Sequence, residues 1–478
     1  MSQPPFLTTA GGIIMLANIG ADSAMSSRTP ASEEGASMSS YTIPGLHITD
    51  RAVSVPLDWS APGGATIEVF FREAVDPARK TEDLPLLCFL QGGPGGKSPR
   101  PGRGDPAWLA EALKTHRVIL PDQRGTGRSS PVSAARMRAF PDGEAAAGYL
   151  SCFRADSIVR DFDHIRRAVY GGRRWTTLGQ SYGGFLTLSW LSIAPEGLAA
   201  CLVTGGLASL HPSADVVYRH TYPRVAAKNE AYNRRYPADA ARIAAIADRL
   251  AMGDVRLPDG DRLSVRRFQT LGLDLGMKPG AERIHWLVDE AFAGAPEGGF
   301  TDHFLAEAMQ KTSYHSNPLF AVLQESIYGE GEGATLWSAE RIRTEYPAFD
   351  PGARPLFFTG EMIYPWMFDE IASLRPYRAG AEALAARPRH SRLYDLPRLA
   401  ANEVPVVAVI YHDDMYVDEG MSRRTAAEVG NLDYWITNEF EHDGLRESGG
   451  VFARLMAMLR ERGGALDAGP DAGTVARP

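Results

Sequence analysis

The run Trp175-Thr176-Thr177-Leu178-Gly179-Gln180-Ser181-Tyr182-Gly183-Gly184-Phe185 constrains the fold of this chain more than any other segment. A short apolar stretch runs straight into Gly-x-Ser-x-Gly, and helix-like spacing follows from Phe185 to Ala194, where Pro195 closes it. A strand that turns directly into a helix at a serine holds that residue in a strained, projecting turn. Glycines two residues to either side let neighbouring backbone pass closely, and the first amides of the helix favour negative charge developing beside the serine. The five-residue pattern alone recurs by chance in a glycine-rich chain; its position between strand and helix gives it meaning. Ser181 is the candidate nucleophile.

The same alternation extends in both directions. Val53–Leu57 and Thr66–Glu73 read as an antiparallel pair across the turn Ser60–Gly64. Leu84–Leu90, Arg117–Leu120, Trp175–Leu178, Ala199–Thr204 and Val404–Tyr411 are short apolar runs of the kind that form buried parallel strands, and Tyr434–Asn438 is a last strand. Helices are expected between them, among them one carrying Ile158, Phe162, Ile165 and Val169 on one face, with Asp156 as N-cap and Gly171-Gly172 as the stop. The expected fold is therefore α/β, a mostly parallel sheet with helices on both faces. From about 208 to 393 the pattern is mainly helical and rich in aromatics, as in an inserted cap. The chain thus divides into a leader (1–44), a first part of the core (45–207), the cap (208–393), a second part of the core (394–462) and a tail (463–478). Leader and tail are poor in the residues that build a core and are expected to be disordered.

Composition narrows the function. With 44% hydrophobic residues among 478 there is ample material for a large core, and the net charge of −8 without any long basic run argues against nucleic acid as a partner. No stretch approaches the length of a membrane span, so no membrane partner is expected. Cys88, Cys152 and Cys201 form no Cys-x-x-Cys or Cys/His cluster, so reduced thiols are expected, with no metal and no cofactor. The leader has a short apolar run, Gly12–Ala17, without a preceding Lys or Arg; a cytoplasmic chain is expected, with Met25 or Met38 as alternative starts.

Serine needs a base, and the base needs a third group to hold it. At an elbow of this kind the acid and the histidine follow the serine in that order, each beyond the C-terminal end of a strand. His442 follows Tyr434–Asn438, and Val404–Tyr411 runs into His412-Asp413-Asp414. Asp414 is preferred to Asp413 because it stands three residues past the strand, at the turn. For the oxyanion, the amide of Tyr182 is one donor, and the loop Gln91-Gly92-Gly93-Pro94-Gly95-Gly96 offers Gly92 and Gly93 for the other. That loop lacks the Gly-Lys-Ser/Thr ending of a phosphate-binding loop. Asp122-Gln123-Arg124-Gly125-Thr126-Gly127-Arg128-Ser129 reads as a structural tie beside it.

Three of these segments together resemble the proline iminopeptidases (prolyl aminopeptidases). Gln91–Gly95 is similar to their His-Gly-Gly-Pro-Gly loop, Asp122–Ser129 to their Asp-Gln-Arg-Gly-x-Gly-x-Ser segment, and Gly179–Gly184 to their Gly-x-Ser-x-Gly-Gly elbow. The likeness covers both halves of the core, about Gly45–Leu207 and Leu399–Arg462, and Gln91 departs from the family's histidine. It implies an α/β-hydrolase fold with a helical cap, Ser181, Asp414 and His442 as a triad, and release of an N-terminal residue, proline preferred, from small peptides with a free amino terminus. It also implies cap carboxylates that hold the substrate amine. Glu325, in Glu325-Ser326-Ile327-Tyr328, resembles the family's Glu-x-x-Tyr; Glu361, after the apolar run Pro355–Phe358, is the second candidate. The competing readings are an esterase or amidase with the same triad, because specificity lives in the cap, and a hydrolase-shaped binding protein with little turnover.

Overall fold

The computed structural model describes residues 39–466, apart from Arg103, Pro296 and Glu297. The leader up to residue 38 and the tail beyond Leu466 lie outside the described residues. Five residues assigned to the leader are part of the sheet, however. Ser39–Ile43 (β1) pairs antiparallel with Leu46–Pro56 (β2) through a turn at Gly45, which has φ of 81°.

Nine strands form one sheet. After β1 and β2 come β3 (Thr66–Val75), β4 (Leu86–Leu90), β5 (Arg117–Pro121), β6 (Trp175–Gln180) and β7 (Leu198–Thr204), then β10 (Val406–Tyr411) and β11 (Leu432–Thr437). Their order is β1-β2-β3-β5-β4-β6-β7-β10-β11. The first three and β5 pair antiparallel, and every pair from β5 to β11 is parallel. The central strands β4, β6, β7 and β10 are buried along their whole length, which is why they read as unbroken apolar runs.

Alternation along these strands feeds two hydrophobic clusters. Leu87 and Phe89 face the helices Ala107–Ala112 and Gly449–Glu461, while Cys88 and Leu90 face Ala155–Tyr170 and Tyr182–Ile193. The second cluster continues without a break into the cap. Helix Ala155–Tyr170 ends at Gly171 in the left-handed region, as expected, but its N-cap is Arg154 rather than Asp156. Asp156 instead lies in the first turn, where a carboxylate is favoured by the helix dipole.

Between β7 and β10 the chain is mainly helical, with one two-residue ladder, β8 (Gly331–Glu332) against β9 (Arg389–His390). Its longest helix, Ala214–Arg235, contains Pro223. Proline cannot donate to the carbonyl of Arg219 four residues earlier, and the Tyr346 hydroxyl donates to that carbonyl instead, at 3.2 Å. Among the described residues no helix is long and apolar enough to cross a membrane.

Candidate active site

The turn after β6 has the strain that its sequence implies. Ser181 has φ 57° and ψ −123°, and helix Tyr182–Ile193 begins at the next residue. Its amide donates to Thr204 O at 2.9 Å on β7, and its carbonyl accepts from Gly184 N at 2.7 Å, so neighbouring backbone holds the kink. The glycines here are required by space. A Cβ on Gly183 would lie 1.9 Å from Leu90 O, and one on Gly179 would lie 2.4 Å from Gly183 O. A Cβ on Gly184 would meet Gly206 O at 2.2 Å.

His442 follows β11 and is buried; its Nδ1 lies 2.6 Å from Asp414 Oδ2. The other oxygen of Asp414 accepts the amides of Tyr416 at 2.8 Å and Val417 at 3.0 Å, which fixes the carboxylate from behind. Asp413 and His412 are exposed, so of the adjacent acids only Asp414 reaches the imidazole. Burial by itself would lower the pKa of His442, but the Asp414 charge and hydrogen bond, with Glu361 adding to them, leave it above the ordinary value. Ser181 and His442 line one pocket of about 220 Å³, and the Ser181 hydroxyl makes no hydrogen bond among the described residues. Catalytic hydrogen bonds are often long in unliganded sites and tighten with substrate.

Gly92 and Gly93 line the same pocket. A Cβ on Gly92 would come within 3.1 Å of Ser181 Cβ, so the loop after β4 lies directly against the nucleophile candidate. The Tyr182 amide is the first of its helix, whose opening N–H groups have no acceptor within the helix. The Asp122–Ser129 segment braces this loop: Gln123 Nε2 donates to Gln91 O at 2.7 Å, and Asp122 receives Arg100 in a two-bond pair, both bonds 2.7 Å. Arg124 is fully buried on Asp161 and on the carbonyls of Pro56, Leu57 and Cys152.

The two glutamates part company. Glu361 lines the pocket with Ser181 and His442. Burial pushes its carboxyl up to about 7, with His442 opposing and Asp414 reinforcing the shift. Glu325 is not on the wall of this pocket. It is buried, and its Oε1 accepts Ser338 N at 2.5 Å at the start of helix Ser338–Arg343. Burial raises its carboxyl to about 7 as well, against the hydrogen bonds at that helix start. Glu325, expected as a carboxylate for the substrate amine, thus accepts the amide at the start of a cap helix, and Glu361 is the one of the two on the pocket wall.

Sequence reading missed the cap loop that encloses His442. The His442 amide donates to Gly276 O at 3.0 Å, and the Tyr416 ring stands edge-on to the imidazole with centroids 4.8 Å apart. A Cβ on Gly276 would lie 2.4 Å from the Tyr416 ring, so this glycine makes the contact possible. The signal for it in the sequence was the pair Gly272 and Gly276 in a leucine-rich run around Asp274.

Fold and elbow together define an α/β-hydrolase with a helical cap, and the family model for the alpha/beta hydrolase fold matches residues 85–290. A proline iminopeptidase of Aeromonas sobria is 42% identical over 424 residues, spanning 88% of this chain and 98% of that protein. A proline iminopeptidase of Aspergillus aculeatus is 32% identical over 419 residues, 85% of this chain and 92% of its own length. The chain belongs to the proline iminopeptidase family. A tripeptidyl aminopeptidase of Streptomyces lividans is 27% identical over 197 residues, 35% of this chain and 36% of that protein.

Proposed function

We propose that this chain is a serine aminopeptidase that releases an N-terminal residue, proline preferred, from peptides. The Ser181 hydroxyl attacks the first carbonyl carbon as His442 takes its proton; Asp414 keeps the imidazole in the tautomer that can do so. The oxyanion is received by the amides of Tyr182 and of the Gly92–Gly93 loop. His442 then gives the proton to the departing nitrogen as the C–N bond breaks, and water attacks the acyl-serine by the same route in reverse. Glu361 holds the protonated amine of the substrate.

The observation that carries this reading is a carboxyl group sharing one small pocket with Ser181 and His442. An ammonium group enters such a pocket only if opposite charge replaces its water. A carboxyl poised near 7 is driven to its ionised form by the arriving cation, so the acid and the ligand stabilise one another. A carboxylate at a fixed place beside the nucleophile also measures out one residue. The close relatives named as proline iminopeptidases support the choice of residue. Three unpaired thiols, Cys88, Cys152 and Cys201, are in keeping with a cytoplasmic setting.

A panel of proline p-nitroanilide, N-acetyl-proline p-nitroanilide and p-nitrophenyl acetate tests this directly. The free proline amide should be cleaved and its acetylated counterpart scarcely at all, and Ser181→Ala should abolish both amide and ester turnover. Equal cleavage of free and acetylated amides would leave a serine hydrolase without the aminopeptidase reading.

A further inference from the structure

A pocket of about 220 Å³ that also holds Glu361 has room for the residue being released and little else. The rest of the peptide must lie elsewhere, in space that opens from the same point. A second cavity, about 670 Å³, meets that requirement, because Gly96 and Asn317 line both. The boundary between them is built from two sides. Gly95, with φ of 70°, is approached so closely by the cap that a Cβ there would lie 2.6 Å from Leu319 Cβ and 3.0 Å from Asn317 Oδ1. Asn317 itself is fixed as the N-cap of helix Pro318–Leu323, its Oδ1 accepting Phe320 N at 3.2 Å. The loop that presents Gly92 and Gly93 to the reacting carbonyl is therefore the partition between the two cavities.

The charge of the larger cavity is one-sided. Among the described residues its walls come from the loop after β4, the Gly125–Gly127 and Pro131–Ala134 stretches of the core, and His315–Leu319, Ser373 and Tyr377 of the cap, and no carboxylate is among them. Among the described residues Lys97 is the one lysine or arginine on the wall, and His315 is the one imidazole. Lys97 is exposed and makes no ion pair among the described residues, whereas Arg100 and Arg128 nearby are paired with Asp122 and Asp50. A cleft that a peptide must enter, with a spare ammonium and no acid, favours an anionic group on its occupant. Every short peptide carries such a group at its C-terminus.

We infer that the 670 Å³ cavity is the subsite for the leaving peptide, and that Lys97 there recognises its terminal carboxylate. The preferred substrates are accordingly short peptides with a free C-terminus, in which the carboxylate follows the scissile bond closely enough to reach Lys97. This rests on the aminopeptidase reading above and adds to it which peptides are taken.

The test compares kcat/KM for Pro-Ala and Pro-Ala-Ala with that for their C-terminal amides, beside proline p-nitroanilide, which has no carboxylate. Wild type should prefer at least one of the free acids over its amide by about fivefold, the size expected of a partly exposed charge pair, with the preference shrinking as salt is raised. Lys97→Gln should erase the preference and Lys97→Glu should reverse it, both leaving proline p-nitroanilide turnover as in wild type. Equal rates on acid and amide in wild type, or a preference that survives Lys97→Gln, would overturn the inference while the aminopeptidase reading stood. So would a loss of p-nitroanilide turnover in Lys97→Gln, which would make Lys97 a support of the oxyanion loop. Failure of wild type on every proline substrate would instead remove the reading on which the inference rests.

Discussion

At the scale of single residues, the adjacent acids give the sharpest comparison. Asp414 is buried, bonded to His442 and braced by two amides, while Asp413 is exposed one residue away. Asp414→Asn should leave the fold intact and lower kcat by roughly 10⁴, since an amide favours the wrong imidazole tautomer. Asp413→Asn should stay within about threefold of wild type, as exposed substitutions usually do. Steady-state kinetics on proline p-nitroanilide decides it, and the opposite ranking would overturn the assignment. Ser181, His442 and this acid were legible because an elbow, a strand end and a chain order are local patterns. Glu361 and Glu325 were not separable, because which way a cap side chain points depends on packing between segments far apart in sequence. Glu361 also predicts a pH dependence. Its carboxyl must be ionised to hold an ammonium, so for free-amine substrates kcat/KM should fall as pH drops through about 7. His442 must be neutral to accept the serine proton and adds its own loss on the acid side, and the two limbs belong jointly to the coupled pair. Glu361→Gln should remove one of the two limbs and cost about 2–4 kcal/mol in kcat/KM on proline amides, with little change on p-nitrophenyl acetate. An acid limb unchanged by Glu361→Gln would show that this carboxyl does not meet the substrate amine.

At the scale of elements, the core strands and the elbow could be read directly, but the cap could not. Helix Ala214–Arg235 escaped notice because Pro223 breaks the local pattern, and only a distant residue, Tyr346, satisfies the carbonyl that the proline leaves open. Strand β1 escaped because it is exposed over most of its length and has no apolar run. Helix Ser338–Arg343 has no polar side chain of its own at the N-cap, where Trp337 stands; Glu325 serves from another segment. That arrangement carries a stability signature. The carboxyl of Glu325 titrates near 7 in the folded protein and near its ordinary value of 4.5 when unfolded. A raised carboxyl binds its proton more tightly in the folded state, so stability is fully present below the unfolded pKa and is lost as pH rises towards and through 7. Glu325→Gln can keep the bond to Ser338 N but cannot ionise. Relative to wild type it should therefore gain stability between pH 5 and pH 8, by on the order of 1–3 kcal/mol. Urea unfolding at the two pH values measures the gain, and a constant difference would mean that Glu325 is not held protonated by burial. Activity at pH 7 should change little, in contrast to Glu361→Gln.

For the whole molecule, the question is what seats the cap on the core, since the pocket walls come from both. The strand and helix alternation shows where the cap is inserted, but not which long-range contacts hold it. Arg154 is one of them. It stands just before helix Ala155–Tyr170 of the core, is 2% exposed, and donates to Ser391 Oγ at 2.8 Å, to Ser326 O at 3.0 Å and to Gly329 O. No carboxylate lies within ion-pair distance among the described residues; carbonyl dipoles of the cap take the place of a counter-ion. The segment it grips follows directly on helix Pro318–Leu323, whose N-cap Asn317 stands between the two cavities of the site. Replacing Arg154 by Met fills much of the same space with a flexible apolar chain but leaves the buried Gly329 carbonyl without a donor, while Ser326 O keeps the Gly329 amide at 3.1 Å. Such a loss costs about 1–3 kcal/mol, so Arg154→Met should lower stability by about that much. If the same contacts also seat the Asn317 wall, kcat/KM on prolyl peptides should fall several-fold at temperatures well below unfolding, where circular dichroism still reports a native fold. Hydrolysis of p-nitrophenyl acetate, which needs the elbow and little of the cap, should fall much less. A lower unfolding midpoint with peptide kinetics unchanged would mean that Arg154 stabilises the cap without positioning the wall that separates released residue from leaving peptide.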